Sequence, residues 1–153
     1  TVKFTSLDPP RIKVTGRIKH FTSAFGEHVI AEEVEGAMTE VCEVIGMQVN
    51  EFHVAPMVAP VDGLPYHEWL IEVDSEVSYD TYKRMAEMLD ASMQRRNIYY
   101  RDLIQGGVLR PAVLTFVRKG AFNDYMRSVG KLGGQNKVPR LANDRGIADR
   151  LSS

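Results

Sequence analysis

With 153 residues, 44% of them hydrophobic and 25% charged, the chain has the make-up of one soluble globular domain, long enough to bury about 68–70% of its unfolded surface. No apolar run approaches the roughly 20 residues of a membrane span, and the single cysteine, Cys42, excludes an internal disulfide and Cys-rich zinc patterns while suiting a reducing cytoplasm. The net charge of −1 conceals an asymmetry, since Lys and Arg against Asp and Glu give −9 over residues 1–90 and +8 over 91–153, which add to −1.

The opening "TVKFTS" has neither an initiator Met nor the charged and apolar regions of a leader, and reads as the interior of an amphipathic strand cut from something longer. "RIKVT" (11–15) alternates charged and β-branched residues and "IKHFTSAF" (18–25) does so less cleanly, which predicts two short strands joined through Gly16-Arg17. The period then changes. Ile30, Val34, Ala37, Met38, Val41, Val44 and Ile45 recur at three- and four-residue spacing, predicting an amphipathic helix with acids near its N-terminus and Gly46 at its end. Cys42 falls within that stripe and reads as a small core side chain rather than a nucleophile.

"VNEFHVAPMVA" and "YHEWLIEV" are predicted strands around the turn-rich "APVDGLP", the second with Trp69, Ile71 and Val73 on one face. A second helix is expected from Tyr79 to Arg96, with Tyr82, Met85, Leu89 and Met93 as its stripe and Ser78 or Asp80 as its cap. "NIYYRDLIQGGVL" is ambiguous, with a short helix ended by Gly106-Gly107 expected. "AVLTFVRKG" reads as a strand, "AFNDYMRSVGKL" as a helix, and "NDRGIADRLSS" as a last short helix capped by Asn143. This order predicts an α+β fold, an antiparallel or mixed β-sheet layered with helices, with residues 1–153 as a single domain.

Few residues stand out chemically. His20, His28, His53 and His67 lack metal-ligand spacing, so no metal site is expected, and His53 and His67 fall in predicted strands with ordinary packing or surface roles. Glu32 and Glu33 read as first-turn helix residues. The scattered aromatics form no basic-aromatic array, so no nucleic acid is expected as partner, and no membrane. Two basic stretches remain: "RIKVTGRIKH", which alone carries +4, and "KLGGQNKVPR" (131–140). In the second, Gly133 and Gly134 allow close backbone approach while Pro139 fixes the chain just after Lys137. Lys137 is thereby suited to a phosphate or developing oxyanion, where one donor is worth about 2.7–4 kcal/mol. A solvated basic loop after a helix C-cap explains the same composition.

The stretch Gly16–Glu35 resembles the motif that opens the small C-terminal domain of the adenylate-forming superfamily, which includes acyl-CoA synthetases, peptide synthetase adenylation domains and luciferases. It presents Gly16-Arg17-Ile18-Lys19, then Gly26, then the acid-aliphatic-acid triplet Glu33-Val34-Glu35. More closely, the whole chain resembles the C-terminal domain of the auxin-responsive, Gretchen Hagen type acyl-acid amido synthetases. "SVGKLGGQNKVPR" is similar to that family's late glycine-rich segment ending in Lys-x-Pro-Arg, and "FTSLDPPRIKVTGRIKHFTSAFGEHVIAEEVE" is similar to its bacterial branch. Only these two terminal motifs are specific; everything between them is compatible.

The resemblance implies the small mobile C-terminal domain of an enzyme that uses ATP and magnesium to make an acyl-adenylate from a small carboxylic acid, then an amide with an amino acid. A large N-terminal domain, preceding Thr1, would hold most of the nucleotide site. By position, Lys19 would be the hinge, Arg17 would support the hinge and the nucleotide side of the cleft, and Lys137 would steady charge on reacting oxygens. His28 stands where plant members carry lysine, and would either donate to phosphate or shape the turn. Gly133 and Gly134 would support the loop, and Gln135, Asn136 and Arg140 would bind substrate or order the loop. A free-standing module that grips a small anion without chemistry is the alternative from a different class.

Overall fold

The computed structural model describes residues 21–22, 25, 27–60, 63–128 and 138–152. The predicted strand over 11–15 lies outside them. Of the next predicted strand, Phe21–Thr22 (β1) pairs antiparallel with Val29–Ile30 (β2), placing Phe21 opposite Ile30 and Thr22 opposite Val29. Ile30, expected inside the helical stripe, therefore ends a strand and serves as N-cap of the first helix, Ala31–Ile45 (α1). Its side chain has no oxygen to cap with, so half a capping box forms: the Ile30 N–H donates to Glu33 Oε1 at 3.0 Å. Gly46 closes α1 as expected, its φ of 79° being a left-handed backbone that favours glycine.

Glu51–Met57 (β3) and Tyr66–Glu72 (β4) pair antiparallel, with Val54 opposite Trp69. The chain then crosses over through Tyr79–Arg96 (α2) and Ile98–Gln105 (α3) to Val113–Phe116 (β5), which lies parallel to β4. Parallel neighbours need such a long connection, and here two helices supply it. The sheet order is β3-β4-β5, so the α+β sheet is mixed. After Ala121–Ser128 (α4) the chain returns along the free edge of β3, where Leu141 forms a parallel bridge with Val54, and finishes in Gly146–Leu151 (α5).

Local chemistry sets the ends of these helices. Ser78 is the cap of α2, its Oγ accepting the Thr81 N–H at 3.2 Å, and Asn97 caps α3, its Oδ1 accepting the Tyr100 N–H at 2.9 Å. Asn143 does not cap the last helix. The Asp144 carboxylate accepts the Gly146 N–H at 3.0 Å in a local turn, so α5 begins only at Gly146 with Arg145 as its N-cap.

Both faces of the sheet are covered. Trp69 and Ile71 point with Val34, Met38, Met85 and Leu89 into a core formed by α1 and α2, and Val73 packs against its margin. Leu70 and Ala55 point the other way, against Phe122, Met126, Val138 and Leu151. Full burial of each large apolar side chain is worth about 1.5–3 kcal/mol, so the run Trp69-Leu70-Ile71 requires two roofs rather than one.

Candidate functional site

Lys19, Arg17, Gly133, Gly134, Gln135, Asn136 and Lys137 lie outside the described residues. Arg140 and His28 lie within them, and the elements around these two show how each basic segment is held.

Arg140 is tied to the body of the domain. Its Nη1 donates to Glu51 Oε1 at 2.5 Å and to the Phe52 carbonyl at 3.3 Å, its Nε lies 3.5 Å from Glu35 Oε2, and its guanidinium stacks on the Phe52 ring at 4.5 Å. Its carbonyl accepts the Val54 N–H at 2.7 Å, while the Ala142 N–H donates back to the Val54 carbonyl at 3.1 Å. A planar fork that meets two carboxylates and one aromatic face is a use of arginine that lysine cannot copy. Of the two roles expected for Arg140, these contacts favour ordering the chain.

The residues between Lys137 and Arg140 are anchored too. Val138 is buried in the second core, and the Pro139 carbonyl accepts a hydrogen bond from His53 Nδ1 at 2.6 Å. His53 has no surface exposure, and burial holds its imidazole below the ordinary value of 6.5, with the Arg145 charge acting in the same direction and the bond to Pro139 against it.

At the other motif, His28 is exposed and adopts φ 51°, a left-handed backbone that histidine tolerates better than most residues. Its neighbours hold it there. The Asn97 Nδ2 donates to the His28 carbonyl at 3.2 Å and to Glu33 Oε1 at 3.0 Å, so one buried side chain joins the cap of α3, the His28 turn and the first turn of α1. Immediately before His28, Glu27 is fully buried; its Oε2 accepts from His67 Nε2 at 2.5 Å and its Oε1 from the Phe25 N–H at 2.8 Å. Burial pushes the Glu27 carboxyl up, but the bond to His67 and the His67 charge outweigh it and the net shift is down. The His67 ring in turn stacks between Phe25 and Tyr100, 6.2 Å and 5.1 Å away.

The Glu27–His67 pair, the Asn97 bridge and the His53–Pro139 bond were not readable in the sequence. Each joins residues 40 or more positions apart. Cys42 behaves as expected of a core side chain: it is half-buried, packs on the first core, and burial pushes its thiol up, away from the nucleophilic thiolate. A groove of about 500 Å³ opens between α1 and the start of β3, walled by Met38, Cys42, Met47, Val49 and Phe52, with Arg140 at its margin. Among the described residues no cluster of three His, Cys, Asp or Glu could hold a metal ion, and no helix is long and apolar enough to cross a membrane.

The fold has known counterparts. A structure described as GH3.15 acyl acid amido synthetase is similar at TM-score 0.73 and 17% identity, over 87% of this chain and 25% of that one. Another, AtGH3.15 acyl acid amido synthetase in complex with 2,4-DB, is similar at TM-score 0.68 and 16% identity, again over 87% and 25%. This chain thus spans about a quarter of the length of those synthetases. No curated protein matches it in sequence. The profile of the GH3 family C-terminal domain matches residues 32–146, from the first turn of α1 to the first residue of α5, and the chain accordingly belongs to the GH3 family as its C-terminal domain.

Proposed function

We propose that residues 1–153 form a single, mobile C-terminal domain of a cytoplasmic, ATP-dependent acyl-acid amido synthetase, and that they supply a lysine, Lys137, to the cleft of a preceding N-terminal domain. In the first step a carboxylate oxygen attacks the α-phosphate of ATP and pyrophosphate leaves; in the second an amino acid amine attacks the acyl carbon and AMP leaves. Lys137 steadies the negative charge on the carboxylate and phosphate oxygens as the first bond forms. Lys19 is the hinge about which the domain changes orientation between the steps, with Arg17 beside it and His28 facing phosphate.

The observation that carries this reading is the contact between Glu35 and Arg140, which joins the acid-aliphatic-acid triplet to the Lys-x-Pro-Arg segment 105 positions away. One residue of each motif is thereby held to the same body, as suits a domain that delivers a lysine from a fixed base. The names of the neighbouring synthetases support a carboxylic acid and an amine as substrates. The reading assigns magnesium, and most of ATP, to the N-terminal domain.

The test uses the full-length protein. Lys137→Ala should lower ATP–pyrophosphate exchange by about a hundredfold or more, the scale of losing one well-placed oxyanion donor, while the protein stays folded. Exchange at the wild-type rate would remove Lys137 from the mechanism.

A further inference from the structure

Lys137 is followed within two residues by a carbonyl that a buried histidine holds. His53 lies in the middle of β3 with no surface exposure, and its Nδ1 stands 2.6 Å from the Pro139 oxygen. A carbonyl can only accept, so Nδ1 carries the proton and the ring is the Nδ1–H tautomer. The other nitrogen, Nε2, is buried with no hydrogen-bond partner among the described residues. A buried unpaired nitrogen is unfavourable, and an apolar side chain of similar size would avoid it. What the imidazole adds at this position is the bond to Pro139.

That bond is one of a series. Immediately after Pro139, the backbone of Arg140 and Ala142 is paired with Val54, the neighbour of His53 on the same strand. Val138, on the other side of Pro139, is buried in the second core. Pro139 has no N–H and its φ is restricted by the ring, so its carbonyl is the group by which the strand can fix its orientation. The β3 strand thus holds residues 138–142 by a side-chain bond at 53 and a backbone ladder at 54.

We propose that His53 is a positioning residue for adenylation: by donating Nδ1–H to Pro139 it fixes residues 138–142, the segment that directly follows Lys137, on the body of the domain. This rests on the Lys137 reading given above. The neutral ring suffices for this bond, and burial and the Arg145 charge disfavour a second proton at Nε2, against the bond to Pro139 and the Asp144 charge, which favour it.

In the full-length synthetase, His53→Leu removes the donor at similar volume, whereas His53→Asn places an amide N–H close to where Nδ1 stood. His53→Leu should lower kcat for ATP–pyrophosphate exchange about tenfold, equivalent to ~1.4 kcal/mol, with KM for ATP within about twofold of wild type. His53→Asn should recover to within about threefold of wild type. Combined with Lys137→Ala, the leucine should cost nothing more. A leucine variant at the wild-type rate, or an asparagine variant as slow as the leucine one, would overturn the proposal. Normal exchange by Lys137→Ala alone would instead bring down the premise, and the proposal with it. Should the leucine variant not fold, ¹⁵N-histidine NMR of the wild-type protein decides: a proton on Nδ1 of His53 is required, and an Nε2–H ring with a bare Nδ1 at neutral pH excludes the role.

Discussion

The Nε of Arg140 lies 3.5 Å from Glu35 Oε2, while the same guanidinium bonds Glu51 and stacks on Phe52. One side chain therefore ties helix α1, strand β3 and the segment after Lys137 into a single unit. It is about a quarter exposed, so solvent screens its ion pairs to at most about 1 kcal/mol each, and the aromatic contact adds roughly 0.5–1 kcal/mol. Arg140→Ala is expected to cost about 1–2 kcal/mol in urea unfolding. Arg140→Lys, which keeps the charge but loses the fork and the stacking, should recover less than half of that. Full recovery by lysine would mean that charge alone matters.

Glu27 and His67 form a buried pair whose removal from one side leaves the other partner stranded. Loss of one member of such a pair costs about 3–5 kcal/mol. Glu27→Ala should fall in that range, and Glu27→Gln, which keeps an acceptor for the Phe25 N–H or for His67 but not both, should lose about half as much. A loss below about 1 kcal/mol for Glu27→Ala in chemical denaturation would show that the pair is not a structural bond.

Asn97 combines a helix cap with two further bonds, so its removal should exceed that of an ordinary cap. Asn97→Ala is expected to cost about 2–3 kcal/mol, against about 1 kcal/mol for Ser78→Ala at the exposed cap of α2. Asn97→Asp preserves the cap acceptor but faces Glu33 with a second carboxylate and should rescue little. Equal losses for Asn97→Ala and Ser78→Ala in thermal melts would leave the bridge to His28 without energetic weight.

Stability should fall on the acid side. The folded-state pKa of His53 is below its ordinary 6.5, so the unfolded chain takes up its proton first; stability from this group is complete above pH 6.5 and declines as the pH drops below it. Glu27, also lowered, adds a decline below its ordinary 4.5, and Glu40, held at about 2 by hydrogen bonds from Arg95, Ser92 and Arg96, extends the loss toward that value. Urea midpoints measured from pH 8 to pH 4 should therefore be flat above about pH 7 and fall below about 6, and His53→Leu should lack the upper part of that fall. A wild-type midpoint constant down to pH 4.5 would contradict a buried neutral His53.

The elements that sequence reading placed best are those with strong local signals. Helix α2 follows its Tyr82-Met85-Leu89-Met93 stripe and its Ser78 cap, and α1 ends where Gly46 supplies a positive φ. Errors arose where tertiary pairing overrode local pattern. Ile30 has helical spacing yet pairs with Phe21, and Asn143 is a good cap residue displaced by the turn at Asp144. The mixed order of the sheet was not decidable, because nothing in "AVLTF" distinguishes a parallel neighbour of β4 from an antiparallel one. In the site, the motif residues were visible as types but their partners were not. Glu27 was not singled out in the sequence, and only the fold brings it against His67. Glu33 and Glu35, the two acids of one triplet, serve different ends, the first capping α1 and the second meeting Arg140.

Residues 138–151 both extend the edge of β3 and cover the Leu70 side of the sheet. During translation, then, the Leu70 side of this sheet would be covered by α4 alone until residues 138–151 were made, and hydrophobic contacts there would be open to chaperones or to misassembly. A stop codon placed just before residue 138 should yield not a shorter domain but an aggregating one.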